Sequence, residues 1–401
     1  MSFHRVRRIP RCQRGIALPI AMITLMILSV LIIAFTMLAA SEPVLANNQL
    51  QVLQARAIAE SGLERAIWAL NNPADPSGIP NPLVTAVAPY NGSAAIAVTL
   101  AGIQLGVYTV SVTNGASANR RDIVLTGWAP TNTGSGPKAK QRIIATVAQP
   151  RFLDPPAALV VRGEIGASGN SLVDSRSDTS CGAKSGSWSQ GTTAVGGAAK
   201  IYGRDGDDVP NGSGDAIQNV PASAFDPYTY SNAELSALKS LAQANGTYYQ
   251  GSVTFNAGRR IRNGIVYIDT VSGLNIDATG VGTTPTSDFA SVTIRGSSEA
   301  DASGIFSGWI IVAGSLRIDG DFQMRGMAYV LNDLTYTGTG AGRIDGAMIS
   351  QNIRDVSATT IDTNAGGNAA IYYNCEYAKT GAGQVPQTFT IQAGSYKEVP
   401  G

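Results

Sequence analysis

The residues that could do chemistry in this 401-residue chain exclude more than they offer. The single histidine, His4, lies in the basic N-terminal segment, so nothing beyond it can form a Ser-His-Asp or Cys-His arrangement or a histidine metal site. Cys12 lies in the same segment. Cys181 and Cys375 remain as an even pair and are a disulfide candidate in an oxidising compartment, although spacing alone does not show that they meet. The densest oxygen cluster is Asp205-Gly206-Asp207-Asp208, with Asn211 and Asp215 close behind. A hard cation takes several carboxylate and carbonyl oxygens, which makes Asp205, Asp207, Asp208 and Asp215 calcium candidates. Their spacing is not that of an EF-hand and no glutamate closes the loop, so a solvated acidic loop is the simpler reading. Asp319, Asp321, Asp333 and Asp345 fall where turns are expected, and aspartate caps turns. No catalytic pair recurs among them. The chain therefore reads as a protein that is not an enzyme and has no cofactor beyond that possible calcium. Tyr228, Tyr230, Tyr248, Tyr249, Tyr372 and Tyr373 are of a type that supports carbohydrate or surface binding, with ordinary packing as the plainer role.

The elements that would carry these residues begin at the N-terminus. Arg5, Arg7, Arg8, Arg11 and Arg14 lead to Gly15, and Ile16 to Ala40 follow without a charge. A helix rises about 1.5 Å per residue, so that run is long enough to cross a hydrocarbon core of about 30 Å. The arginines hold the N-terminus in the cytoplasm and place the rest outside it. A cleavable secretory signal is the alternative, with Thr36 to Ser41 as a passable cleavage site, but its apolar core would be only about 7–15 residues. Ala46 to Leu70 continues as an amphipathic helix, with Leu50, Leu53, Ala57, Leu63, Ile67 and Leu70 stepping by threes and fours. Pro43 is expected to start a helical segment or kink a continuous one, and Asn71-Asn72-Pro73 to end it.

Arg14-Gly15-Ile16-Ala17-Leu18, the apolar run, and then Ala55 to Ala66 with its Ala59-Glu60-Ser61-Gly62-Leu63-Glu64 centre resemble the N-terminal domain of PilX-type minor pilins. They are also similar to the K-type pseudopilins of type II secretion. The resemblance covers about the first 72 residues. It implies a prepilin leader over 1–15, cleavage by prepilin peptidase after Gly15, methylation of the new N-terminus at Ile16, and a pilin helix over 16–72 that joins other pilins. One position departs from the pattern. Most major pilins carry glutamate at the fifth mature position, and here that position is Ile20. A buried ammonium without its carboxylate is costly, which favours a tip or priming subunit, or an anchor that does not assemble, over a mid-filament one.

Beyond the helix the chain is mainly β. Residues 83–150 hold four strand candidates, Ala94 to Leu100, Val107 to Thr113, Asp122 to Trp128 and Arg142 to Ala148, expected as a small antiparallel, pilin-like sheet. Residues 157–375 hold many short strands and small polar turns. Shifted by 18, Val312, Leu316 and Ile318 meet Val330, Leu334 and Tyr336; a further 19 sets Val330 on Ile349 and Leu334 on Ile353. Leu274-Asn275-Ile276-Asp277 matches Leu316-Arg317-Ile318-Asp319, and Ala369 to Asn374 reads as a last repeat. Repeats near 20 residues suggest a parallel β-helix, a solenoid whose inward set includes Val312, Leu316, Ile318, Val330, Leu334, Ile349 and Ile353. An antiparallel β-sandwich is the alternative. Asn232 to Ala244 is a helix candidate that decorates this domain, and 376–401 reads as a C-terminal tail.

Composition bounds the partners. Net charge is +1 and 14% of residues are charged, without the basic clusters of a nucleic-acid binder. The expected partners are prepilin peptidase, other pilins or pseudopilins, the inner membrane, and a surface or carbohydrate ligand. The expected location is the inner membrane, with a periplasmic or extracellular C-terminal part that moves into a pilus or pseudopilus; the alternative to a structural pilin is a membrane-anchored adhesin or a carbohydrate-binding or carbohydrate-active β-helix protein.

Overall fold

The structure is a computed structural model. It describes residues 17–80, 83, 87–117, 119–134, 138–203, 209–273, 285–296, 303–353, 361–392 and 394–400. Two compact units result. The first comprises the N-terminal helix, the chain to Thr113, Asp122–Ala145 and the residues from Lys397. The second comprises Asn114–Arg121 and Thr146–Tyr396.

Helix α1 runs unbroken over Ala17–Asn71. Pro19 falls in its first turn, where a missing amide costs nothing, and the helix continues past Pro43. The buried face is Ala55, Ile58, Ala59, Gly62, Leu63, Ala66, Ala69 and Leu70. This corrects the expected stripe: Leu50, Leu53 and Ala57 are exposed. The expected Leu63 and Leu70 are buried, and small residues alternate with them and Ile58 on the packed face because the sheet comes very close. A Cβ on Gly62 would sit 2.7 Å from the Tyr108 ring, and one on Gly127 would strike the Ala55 carbonyl and stand 2.9 Å from the Ala59 amide. The sheet itself is antiparallel, with strands Ile96–Leu100, Ile103–Asn114, Arg120–Ala129 and Ala139–Ala148 in that order. Along Arg120–Ala129 buried residues alternate with half-buried ones, the signature of a sheet with one covered face. Residues 376–401 are not a tail. Lys397–Pro400 adds an antiparallel strand to Ala139–Ala148, with Lys397 opposite Ile144, and Glu398 pairs with Arg56 of α1 at 2.6 Å.

The second unit is built of parallel pairs. Phe306–Val312, Gln323–Val330 and Arg343–Ser350 lie side by side in one sheet, and Ala290–Arg295, Gly314–Gly320, Leu334–Gly338 and Thr363–Gly367 in another. The chain alternates between the two, so each pass adds one strand to both. Val312 pairs with Val330, Leu316 with Leu334 and Ile318 with Tyr336, the 18-residue register expected from sequence. The next step differs. Val330 meets Ser350, not Ile349, and Leu334 meets Thr363, not Ile353. The first is a one-residue slip, which reverses the face, and the second a displacement of ten residues. Ile349 and Ile353 accordingly belong to a second core with Trp309, Ile311 and Tyr329, while Val312, Leu316, Ile318, Val330 and Leu334 line the first. The Leu274 to Asp277 match lies outside the described residues.

The order of passes is not the order of the chain. Ala370–Tyr373 pairs with Arg343–Ser350 on one side and with Leu172–Asp174 on the other. Thr363–Gly367 likewise pairs with Ile165–Ala167. The last pass in sequence thus docks on the first, in mid-stack, and the segment before α2 returns across the sheet. That return supplies the second core: Phe225, Tyr230, and Leu235, Leu238 and Ala242 of α2 (Asn232–Ala244) cover the outward side chains of the strands. A capping box of Ser231 and Glu234 starts α2. Lys239 then holds it to the strand Gly264–Asp269, reaching the fully buried Asp269 at 2.5 Å. Burial, with Asp269 beside it, pushes the Tyr248 phenol up to about 12.

A column of glycines shapes the long strands. Gly264, Gly308, Gly326 and Gly346 are successive register partners, all with positive φ. The strand Arg343–Ser350 shows why. Up to Gly346 it pairs with Ala370–Tyr373, and from Met348 it pairs with Ala157–Val161. The glycine is the corner between two faces, where a Cβ on Gly326 would collide with the Gly308 carbonyl.

Replacing Gly326 by Ala should therefore cost about 3 kcal/mol in chemical unfolding of the second unit, through φ strain and the carbonyl clash; Gly340→Ala, whose Cβ meets nothing within 4 Å, serves as the reference. Lys239→Ala leaves the buried Asp269 without its cation. It should lower stability by about 3 kcal/mol at neutral pH.

Candidate functional site

Two regions carry functional side chains, and the first is α1 itself. It is the one described helix long and apolar enough to cross a membrane. Leu18 through Leu45 present exposed apolar side chains, Ile20 among them. The hydroxyls in this stretch are satisfied within the helix: Thr24 donates to Ile20 O at 3.0 Å, Ser29 to Leu25 O at 2.7 Å and Thr36 to Ile32 O at 3.0 Å. A hydroxyl closed on its own backbone brings no unmet polar group into hydrocarbon. Gly15 and Ile16, the expected processing site, lie outside the described residues.

The calcium candidates divide. Asp205, Asp207 and Asp208 lie outside the described residues. Asp215 is buried and its carboxylate accepts from the amides of Gly203 and, at 2.9 Å, Gly212. The Asn211 side chain accepts from Ile201 N at 2.8 Å. Both side chains hold backbone turns. Cys181 and Cys375 are brought together as a disulfide with Cα atoms 5.8 Å apart across 194 residues of sequence. The pair stands at the mid-stack junction, one cysteine after Leu172–Asp174 and the other after Ala370–Tyr373. With Asp154 these sulfurs form the one three-member group of metal-capable side chains among the described residues, and as a disulfide they offer a metal no thiolate.

Most of the tyrosines singled out from sequence are packing residues. Tyr230 is buried against Tyr329 with ring centroids 4.8 Å apart, and Tyr249 packs edge-on to Phe255 at 5.1 Å. Tyr228 meets Trp188, Tyr248 bonds Asp269, and Tyr373 is buried. Tyr372 differs in being half-buried where it lines, with the buried Tyr373, an open groove of about 450 Å³ on the second unit. Gln323, Arg325, Arg343, Asp345 and Tyr377 line it too.

Three adjacent strands build this groove. Arg325, Asp345 and Tyr372 are register partners on consecutive strands, and the alternate residues Met324, Ile344 and Ile371 are buried in the core. Period-2 alternation thus turns the three polar side chains outward together. Arg343 lies 4.1 Å from the Tyr372 ring centroid and donates to Asp345 Oδ1 from Nε at 2.8 Å and from Nη2 at 2.7 Å. That hydrogen bond raises the Arg343 pKa above its ordinary value. Arg325 lies 5.4 Å from the Tyr377 ring centroid. Of the corner aspartates, Asp319 pairs with Arg317 in the other sheet and Asp321 is exposed. The sequence reading missed both groove arginines. Its one usable signal was the repeated Arg-x-Asp of Arg317/Asp319 and Arg343/Asp345.

No protein-family model matches the sequence, and no curated protein does. Among solved structures the chain is similar to the competence-associated pilin ComZ from Thermus thermophilus, at 15% identity over 87% of this chain and 97% of that one. The TM-score is 0.28, too low to transfer a fold or a role.

Loss of the cross-link is open to direct measurement. Reduction, or Cys181→Ser with Cys375→Ser, should lower unfolding stability by about 2–5 kcal/mol, as a long closed loop is released. Free-thiol titration of the oxidised, unfolded protein should then detect no reactive Cys181 or Cys375.

Proposed function

We propose that this chain is a structural minor pilin of the PilX type, or a K-type pseudopilin, and not an enzyme. In this reading prepilin peptidase removes residues 1–15 after Gly15, Ile16 becomes the methylated N-terminus, and α1 moves from the inner membrane into a pilus or pseudopilus among other pilins. The second unit, read as a parallel β-helix, is then the displayed head in the periplasm or outside the cell. No cofactor is required for that role, and the calcium reading of Asp205, Asp207 and Asp208 stays secondary.

The observation that carries the proposal is the division of labour along α1. Its first half is exposed and apolar, with its hydroxyls closed on the helix. Its last turns pack small residues against an antiparallel sheet. One continuous helix can therefore serve as membrane anchor, assembly rod and core element. Ile20, in place of the usual glutamate, supports a tip or priming position: an end subunit need not neutralise a neighbour's buried ammonium.

Mass measurement of the N-terminal peptide, from membranes and from sheared filaments, tests the reading. A methylated peptide beginning at Ile16 in the sheared fraction is expected. An intact N-terminus, or cleavage near Ala40, would sink it. Gly15→Arg should block processing, because the peptidase needs close approach to a backbone without a side chain, and should leave the full-length chain in the membrane.

A further inference from the structure

We propose that the groove of Arg325, Arg343, Asp345 and Tyr372 binds a carboxylated sugar, such as a uronic acid unit of an oligosaccharide. The inference rests on the second unit alone and does not depend on assembly through α1. It starts from three Arg–Asp pairs in that unit. Arg176 engages both oxygens of Asp174, from Nε to Oδ1 at 3.0 Å and from Nη2 to Oδ2 at 2.7 Å, with Tyr202 stacked at 3.7 Å. Arg317 likewise bonds both oxygens of Asp319, at 3.0 and 2.8 Å. These two pairs are closed. In the groove Arg343 uses only Oδ1 of Asp345, and Oδ2 accepts nothing from the described residues.

Beside that open oxygen stands an open cation. Arg325 and Asp345 are register partners, and adjacent strands are about 4.8 Å apart. The Arg325 guanidinium lies over the Tyr377 ring and, among the described residues, has no carboxylate or other hydrogen-bond acceptor. It is half-buried, so leaving it unmatched carries some desolvation cost. The groove thus offers one guanidinium fork and one carboxylate oxygen, side by side, with Tyr372 and Tyr377 as apolar walls.

A complementary ligand must bring an anion and a hydroxyl donor a few ångströms apart on a ring with C–H faces. A uronic acid does this. Its carboxylate matches the fork of Arg325 in bidentate geometry, its hydroxyl donates to Asp345 Oδ2, and its ring C–H bonds meet the tyrosines. A neutral sugar leaves Arg325 unmatched. A DNA phosphodiester brings the anion but no backbone hydroxyl to donate to Asp345 Oδ2.

Calorimetric titration of the full-length chain in detergent micelles with tetragalacturonate, at low salt, tests this. Saturable binding is expected, with cellotetraose and a short single strand of DNA binding at least about tenfold more weakly. Arg325→Gln should weaken tetragalacturonate binding about tenfold or more, the loss expected for one charge-assisted bidentate contact, and Arg325→Lys less. Arg317→Gln, which breaks a closed pair on the other sheet, should bind as the parent does. Circular dichroism of each variant checks the fold, and Arg325→Lys remains informative where Arg325→Gln unfolds. The proposal fails if tetragalacturonate does not bind, if cellotetraose or DNA binds as tightly, or if folded variants at Arg325 bind unchanged.

Discussion

Everything in the second unit depends on one constraint: a strand in a parallel sheet cannot satisfy its own backbone, so away from the two ends of each sheet both of its edges are met by other passes of the chain. Chain order yields to that demand. Arg343–Ser350 has one edge on Gln323–Val330 and divides the other between Ala370–Tyr373 and Ala157–Val161. The earliest and latest passes are therefore neighbours, and the polypeptide between them must travel out along the stack and back. That detour pays for itself by covering the outer side of the first sheet with α2 and the turns before it, which is why Phe306–Val312 is buried at every position. A disulfide across the same junction restrains the two ends where covalent continuity is missing.

The first unit solves a different problem with the same economy. Helix α1 must meet water, its own sheet and, on the proposed reading, a membrane and neighbouring helices. Alanine and glycine on one face let the sheet approach the helix axis closely, and the larger residues Leu50, Val52 and Leu53 are left facing outward. The gain is a helix whose bulkiest apolar side chains remain available for partners.

The groove follows from the same stacking rule. Strands in register place equivalent outward residues side by side, so a polar ladder on one face becomes a continuous surface. Where arginine and aspartate fall on the same strand they neutralise each other, as at Arg317 and Asp319. Where an additional arginine arrives on the adjacent strand, as Arg325 does, the count no longer closes among the described residues.

The sequence by itself determined what depends on local pattern. The uncharged run after Arg14, the four strands of the small sheet, the helix over Asn232–Ala244 and the 18-residue register of Val312 with Val330 are each set by period, charge or turn residues within a short window. The tertiary structure decided what depends on contacts far apart in the chain. It packed Ile58, Ala59, Gly62 and Leu63 of α1 and left Leu50 and Leu53 exposed, because which turns the sheet covers, and how closely at Gly62, is set by contacts with distant strands. It slipped Val330 onto Ser350 and so turned Ile349 outward, because a variable turn length shifts register without leaving a trace in hydropathy. It set the last pass against the first and brought Arg325, Asp345 and Tyr372 together, since which edges meet is fixed by the whole set of strand pairings and by no single segment.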